Sequence, residues 1–189
     1  MGINISGIAS SIAANELKQI TDVLKIEISE TFEERIFEEA LSNNMADDDM
    51  YFTPTSNGCL ITAGDKFSVL DLKMRQLAAN NHKLLKFIIG ETSTFYFFEY
   101  IENEKVLRTK LSIDYEVKLE KGKSLELEFL GMEDDELIDQ LIEMTCGNSI
   151  FSIEPDTKSY KYKFLGFISH LKPPNPNNLK TIKPWWKLW

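Results

Sequence analysis

An α+β domain is the architecture this chain predicts: an antiparallel sheet of hairpins and meanders with about three helices packed on one face. Three observations carry it. Between residues 58 and 168, short apolar or alternating stretches follow one another with turn residues between them, as neighbouring strands do. Helical periodicity recurs near 16–43, 70–80 and 133–146. The 189 residues, 43% hydrophobic and 27% charged, suffice for one domain with a substantial core. Composition divides the chain into an N-terminal arm (1–15), an acidic α+β domain (16–170) and a Pro/Asn spacer leading to a basic, Trp-rich tail (171–189).

Gly2, Gly7, Ala9, Ser10, Ser11, Ala13 and Ala14 make the first segment small-featured, which predicts a loosely ordered arm or a weak first helix. Leu17, Ile20, Val23 and Leu24 then recur at helical spacing, as do Phe32, Ile36, Phe37, Ala40 and Leu41 opposite a face of glutamates. Lys25–Ser29 alternates like a short strand, so one long helix and two helices with a break both fit. The run from Gly58 to Gly64 is apolar and bracketed by glycines, a first strand. Leu70, Met74, Leu77 and Ala78 share a helical face that stops at Asn80-Asn81.

Strands are predicted next at 84–89, 94–101 and 106–113, the second made central by Phe95, Tyr96, Phe97 and Phe98. Glu102-Asn103-Glu104-Lys105 reads as a hairpin turn, because Asn tolerates the left-handed conformation such turns need. Tyr115, Val117 and Leu119 against Leu125, Leu127 and Phe129 predict a second hairpin across Lys121-Gly122-Lys123. Glu133–Glu136 opens the clearest helix, its carboxylates at the positive end of the dipole, with Leu137, Leu141 and Met144 as the buried stripe and Gly147-Asn148 as the stop. Ile150–Ile153 and 160–168 form a last hairpin or an edge strand, guarded by Lys161 and Lys163.

The net charge of −9 is unevenly placed. From Thr157 onward there are seven lysines and no acid, which leaves −16 on residues 1–156. So acidic a body repels phosphates, which excludes nucleic acid as the expected partner and favours a basic protein. Within it Glu34, Glu38, Asp47, Asp48 and Asp49 are the expected partner-binding acids. Asp47–Asp49 lacks the glycine and terminal glutamate of a calcium loop, so it reads as a solvated acidic turn.

Catalytic signatures do not emerge. The chain has no G-x-S-x-G and no phosphate-cradling glycine loop. Two histidines, His82 and His170, offer no metal-binding spacing, and neither a cofactor nor a metal is expected. Cys59 and Cys146 stand far apart without a CxxC, so buried free thiols in a reducing, cytoplasmic compartment are expected. No apolar run reaches the length of a membrane span. Met1-Gly2-Ile3-Asn4-Ile5-Ser6 matches the template for lipidation at Gly2, but no basic patch supplies the second signal that stable anchoring needs.

All three tryptophans fall in the last five residues. Lys183, Trp185, Trp186, Lys187, Leu188 and Trp189 form a compact cationic aromatic strip of the kind that dominates interfaces. Its occupant is its own domain, another protein, a second copy of the chain or, as the least favoured choice, a bilayer interface. The expected function is therefore a non-enzymatic protein-binding role, in concrete form a small acidic bacterial protein that neutralises a basic partner as immunity proteins do. The alternative is a peripheral component of a membrane-associated or larger assembly, recruited through the tail.

Overall fold

In the computed structural model, which describes residues 4–42, 45–70, 72, 82–103 and 105–168, ten strands pair antiparallel into one sheet. The strands are β1 (Asn4–Ser10), β2 (Ile26–Ile28), β3 (Glu33–Ile36), β4 (Asp49–Thr55), β5 (Gly58–Ala63), β6 (Lys83–Gly90), β7 (Phe95–Glu102), β8 (Lys105–Ile113), β9 (Glu116–Gly122) and β10 (Lys158–Phe167). Their spatial order is β2-β10-β4-β5-β1-β6-β7-β8-β9, with β3 also paired to β10. The helices are α1 (Leu17–Leu24), α2 (Phe37–Ala40) and α3 (Asp134–Cys146).

The expected arm is instead the middle of the sheet: β1 pairs with β5 on one side and with β6 on the other. Its small residues answer to packing. A Cβ on Gly7 would stand 2.2 Å from the Ile61 carbonyl oxygen and 2.9 Å from the Phe87 ring, so only hydrogen fits. Ala9 is fully buried in the same core layer as Phe87 and α3. Small side chains that suggest disorder here let a helix and an aromatic ring lie close to the strand.

Strand alternation sends side chains to two cores. On one face Ile5, Leu60, Leu85, Phe87, Tyr96 and Phe98 meet Leu137, Ile138, Leu141 and Ile142 of α3. On the other, Ile8, Phe52, Ile61, Leu84 and Ile101 meet Ile20 and Leu24 of α1 together with Phe67 and Val69. Helices thus cover both faces, which corrects the one-face expectation. The sheet needs this because its inner strands are apolar on both sides.

Other elements were legible in part. The break at Lys25 is real: its φ of 52° ends α1, and β2 follows. The helical periodicity of residues 32–41 yields only α2, since Glu33–Ile36 pairs with Lys158–Lys161 as β3. The turn at Asn103, φ 50°, joins β7 to β8 as expected. The hairpin at 121–123 does not form. Asp114 and Tyr115, both with positive φ, turn the chain between β8 and β9, and Glu126–Leu130 is a 3-10 helix rather than a strand. Gly147, φ 94°, closes α3 by donating its N–H to the Glu143 carbonyl at 2.7 Å. Met144 of the expected stripe is 51% exposed, while Ile138, Ile142 and Cys146 are buried. The segment Ile150–Ser152 is a 3-10 turn, and β10 lies inside the sheet, not at its edge. The predicted helix at 70–80 lies outside the described residues apart from Leu70 and Leu72. Among the described residues, no helix is long and apolar enough to cross a membrane.

Candidate binding cleft

The cleft begins with Asp49, which organises the loop before β4. Its carboxylate accepts the Ala46 N–H at 3.1 Å, while its own N–H donates to the Ala46 carbonyl at 2.9 Å. Across from it, the chain leaving β5 is held by Gly64 N–H to the Asp49 carbonyl and Lys66 N–H to the Asp47 carbonyl, both at 2.9 Å. Gly64 is required, because a Cβ there would stand 2.3 Å from the Ala46 carbonyl oxygen. Two loops are thereby clamped together.

Beside the clamp opens a cleft of about 740 Å³. Ile5, Ala40, Leu41, Met45 and Ile89 give it apolar walls, and the exposed carboxylates of Asp47 and Asp65 stand among its lining groups. Hydroxyls of Ser6, Thr62, Thr92 and Ser93 add acceptors and donors. The frame is tied: the Thr62 hydroxyl donates to the Ala40 carbonyl at 2.8 Å, and the Asn4 amide donates to the Thr92 hydroxyl at 3.0 Å. Its volume falls in the range of ordinary ligand pockets. Chemically, two carboxylates in one cleft with apolar walls suit an amine or guanidinium on an aliphatic stem.

The structure distributes the expected acidic residues unequally. Asp49 is 4% exposed and holds Lys161 at 3.0 Å and Lys163 at 2.7 Å. Burial works against its charge, but the lysine and backbone donors prevail and its pKa falls below the ordinary value. Asp48 takes Lys163 at 2.8 Å, and that hydrogen bond lowers its pKa as well. Glu34 pairs with Lys158 at 2.9 Å. Asp47 and Glu38 are exposed and have no ion-pair partner among the described residues; Glu38 lies on α2, whose end forms part of the cleft. So the acidic turn is not simply solvated: two of its three carboxylates are paired with lysines of β10, Asp49 buried and Asp48 partly exposed. Asp65 was not singled out from sequence, and only its place in the same cleft as Asp47 brings it forward. Lys183, Trp185, Trp186, Lys187, Leu188 and Trp189 lie outside the described residues.

A second concavity, about 500 Å³, is aromatic. Phe32, Tyr160, Tyr162, Pro54, Leu17 and Ala14 line it. Phe32 meets Tyr160 edge-on, with centroids 5.5 Å apart, and tilts against Tyr162 at 5.6 Å. Phe32 nevertheless remains 54% exposed.

Groups with reactive potential are placed elsewhere. Cys59 and Cys146 are free and buried, and burial pushes both thiols well above their ordinary pKa, away from the nucleophilic thiolate. The His82 ring contacts the Gln19 amide at 3.1 Å. Among the described residues, no three His, Cys, Asp or Glu side chains group as a metal site. No protein-family model matches the chain, and neither a curated protein nor a solved structure is significantly similar to it.

Proposed function

We propose that this protein is a non-enzymatic binding protein that takes a basic protein partner through the Asp47–Asp65 cleft, in the manner of a small cytoplasmic immunity-type protein. One observation carries the reading. While Asp48, Asp49 and Glu34 are neutralised by lysines of β10, Asp47 and Asp65 stand exposed in a preformed cleft with no ion-pair partner among the described residues. A lysine or arginine entering there lays its aliphatic stem on Leu41 and Met45 and brings its charge to the carboxylates. The surplus of acid over the rest of the chain steers such a partner at low salt. Free buried thiols fit a reducing compartment.

Titrating the isotope-labelled protein with hexalysine, and with hexaglutamate as control, tests the cleft. Amide shifts are expected to cluster at 45–47, 62–65 and 88–93. The Asp47→Asn/Asp65→Asn protein should bind about tenfold more weakly, as loss of two charge-assisted contacts implies. Shifts spread over the whole acidic surface, or binding indifferent to the double substitution, would refute the assignment.

A further inference from the structure

We propose that the C-terminal strip, residues 183–189, folds back on its own chain and seats its indoles in the aromatic groove of Phe32, Tyr160 and Tyr162. Phe32, exposed, edge-on to Tyr160 and tilted against Tyr162, both half-buried, offers a face to a further ring, and aromatic pairs prefer such offset or edge-on arrangements. The groove also has the apolar flank that an indole needs, in Leu17, Pro54 and Ala14.

Reach favours the chain's own tail over a second copy. Ile168, the last described residue, is pinned by its N–H to the Lys25 carbonyl at 2.7 Å. Tyr162 and Tyr160 lie six and eight residues back along the same strand, about 20–26 Å away at the rise of a β-strand. Sixteen residues, 169–184, precede the first indole, four of them proline, and at the roughly 3.1 Å per residue of a proline-rich segment that length covers at most about 50 Å, more than the span requires. A tether long enough to span the distance makes docking of the chain's own tail an intramolecular event, favoured over a second copy at low protein concentration.

Charge agrees with the same occupant. Glu16 sits between the groove residues Asn15 and Leu17, and Glu30 lies two residues before Phe32. Both are exposed and lack an ion-pair partner among the described residues. Lys183 and Lys187 bracket Trp185 and Trp186, so the tail carries its cations beside the rings that would enter.

Tryptophan emission from the full chain tests this, because every indole lies in residues 185–189. The acrylamide quenching constant should be several-fold below that of a free peptide of residues 180–189, and should not change with protein concentration. Phe32→Ser should raise it toward the peptide value with circular dichroism unchanged, and Glu16→Lys/Glu30→Lys, which leaves the groove rings in place, should raise it in part. Quenching of the full chain equal to that of the peptide overturns the proposal. So does protection that grows with protein concentration, which means a second copy, protection that arises only with phosphatidylglycerol vesicles, or indifference to Phe32→Ser.

Discussion

Asp49 of β4 and Lys161 of β10 face each other at 3.0 Å although 112 positions separate them in the chain, and the carboxylate between them and Lys163 is almost wholly buried. This pairing joins the acidic and basic parts of the sequence inside the sheet. A charge distribution that looks like a partner-binding asymmetry is, over β4 and β10, a self-contained network.

Asp49→Asn should destabilise the fold by about 2 kcal/mol, since it strands the partly buried Lys161 and weakens the loop held at Ala46. The sign with pH follows from its lowered pKa: the contribution is full above the unfolded value of about 3.9 and is lost as pH falls through the still lower folded value. Urea midpoints measured from pH 7 down to pH 3 should fall less steeply in the variant than in the parent. Parallel slopes would show that Asp49 does not carry the acid sensitivity.

Arg108 makes a two-pronged contact that lysine cannot reproduce. Its Nε and Nη2 donate to Glu128 at 2.9 and 2.7 Å, and Nη2 also reaches Glu120 at 2.8 Å, with the side chain 3% exposed. Arg108→Lys should cost about 2 kcal/mol and lower Tm by about 4–8 °C in calorimetry. An unchanged melt would mean that the fork contributes nothing beyond one charge.

Lys86 and Glu99 pair across β6 and β7 at 2.9 Å, and Lys86 also donates to the Leu72 carbonyl at 3.0 Å. Removing one partner leaves a poorly solvated charge, so Lys86→Met alone should cost about 2–3 kcal/mol. The double change with Glu99→Leu should recover most of that loss. A double-mutant cycle in urea that shows simple additivity would deny the coupling.

Gly7→Ala places a methyl where β1, β5 and Phe87 leave no room, and should cost about 2–3 kcal/mol. Gly131→Ala is the control, because nothing lies within 4 Å of that Cβ and only its φ of 72° disfavours it. A loss at Gly7→Ala no larger than that at Gly131→Ala would show that β5 and Phe87 move aside and that the close approach at Gly7 costs little.

What the sequence made legible was local. Asn103 marks a turn, Gly147 a helix stop and Phe95–Phe98 an inner strand, because each signal depends on residues within one turn or one strand. What it hid depends on distant neighbours. Gly7 and Ala9 look unstructured until Phe87 and α3 lie against them. Lys161 and Lys163 look like edge guards until β3 closes one side of β10 and Asp49 meets them from the other. Leu125–Leu127 alternates well enough for a strand, but Glu128 bonds back to the Leu125 N–H at 2.8 Å and curls the segment into a 3-10 turn. The cleft was half visible: Asp47 stood out by composition, whereas Asp65 reaches it only through the clamp at Gly64.

The placement of Asn4–Ser10 also bears on how the sheet closes. β4 with β5, and β6 through β9, are each joined by short turns and can zip locally, yet they share no hydrogen-bonded ladder except through the first strand. Both ladders of that strand join residues far apart in the chain, so closing the sheet through it carries the loop-closure cost that slows folding. Losing those seven residues would part the sheet down its midline, whereas losing β9 would only trim a border.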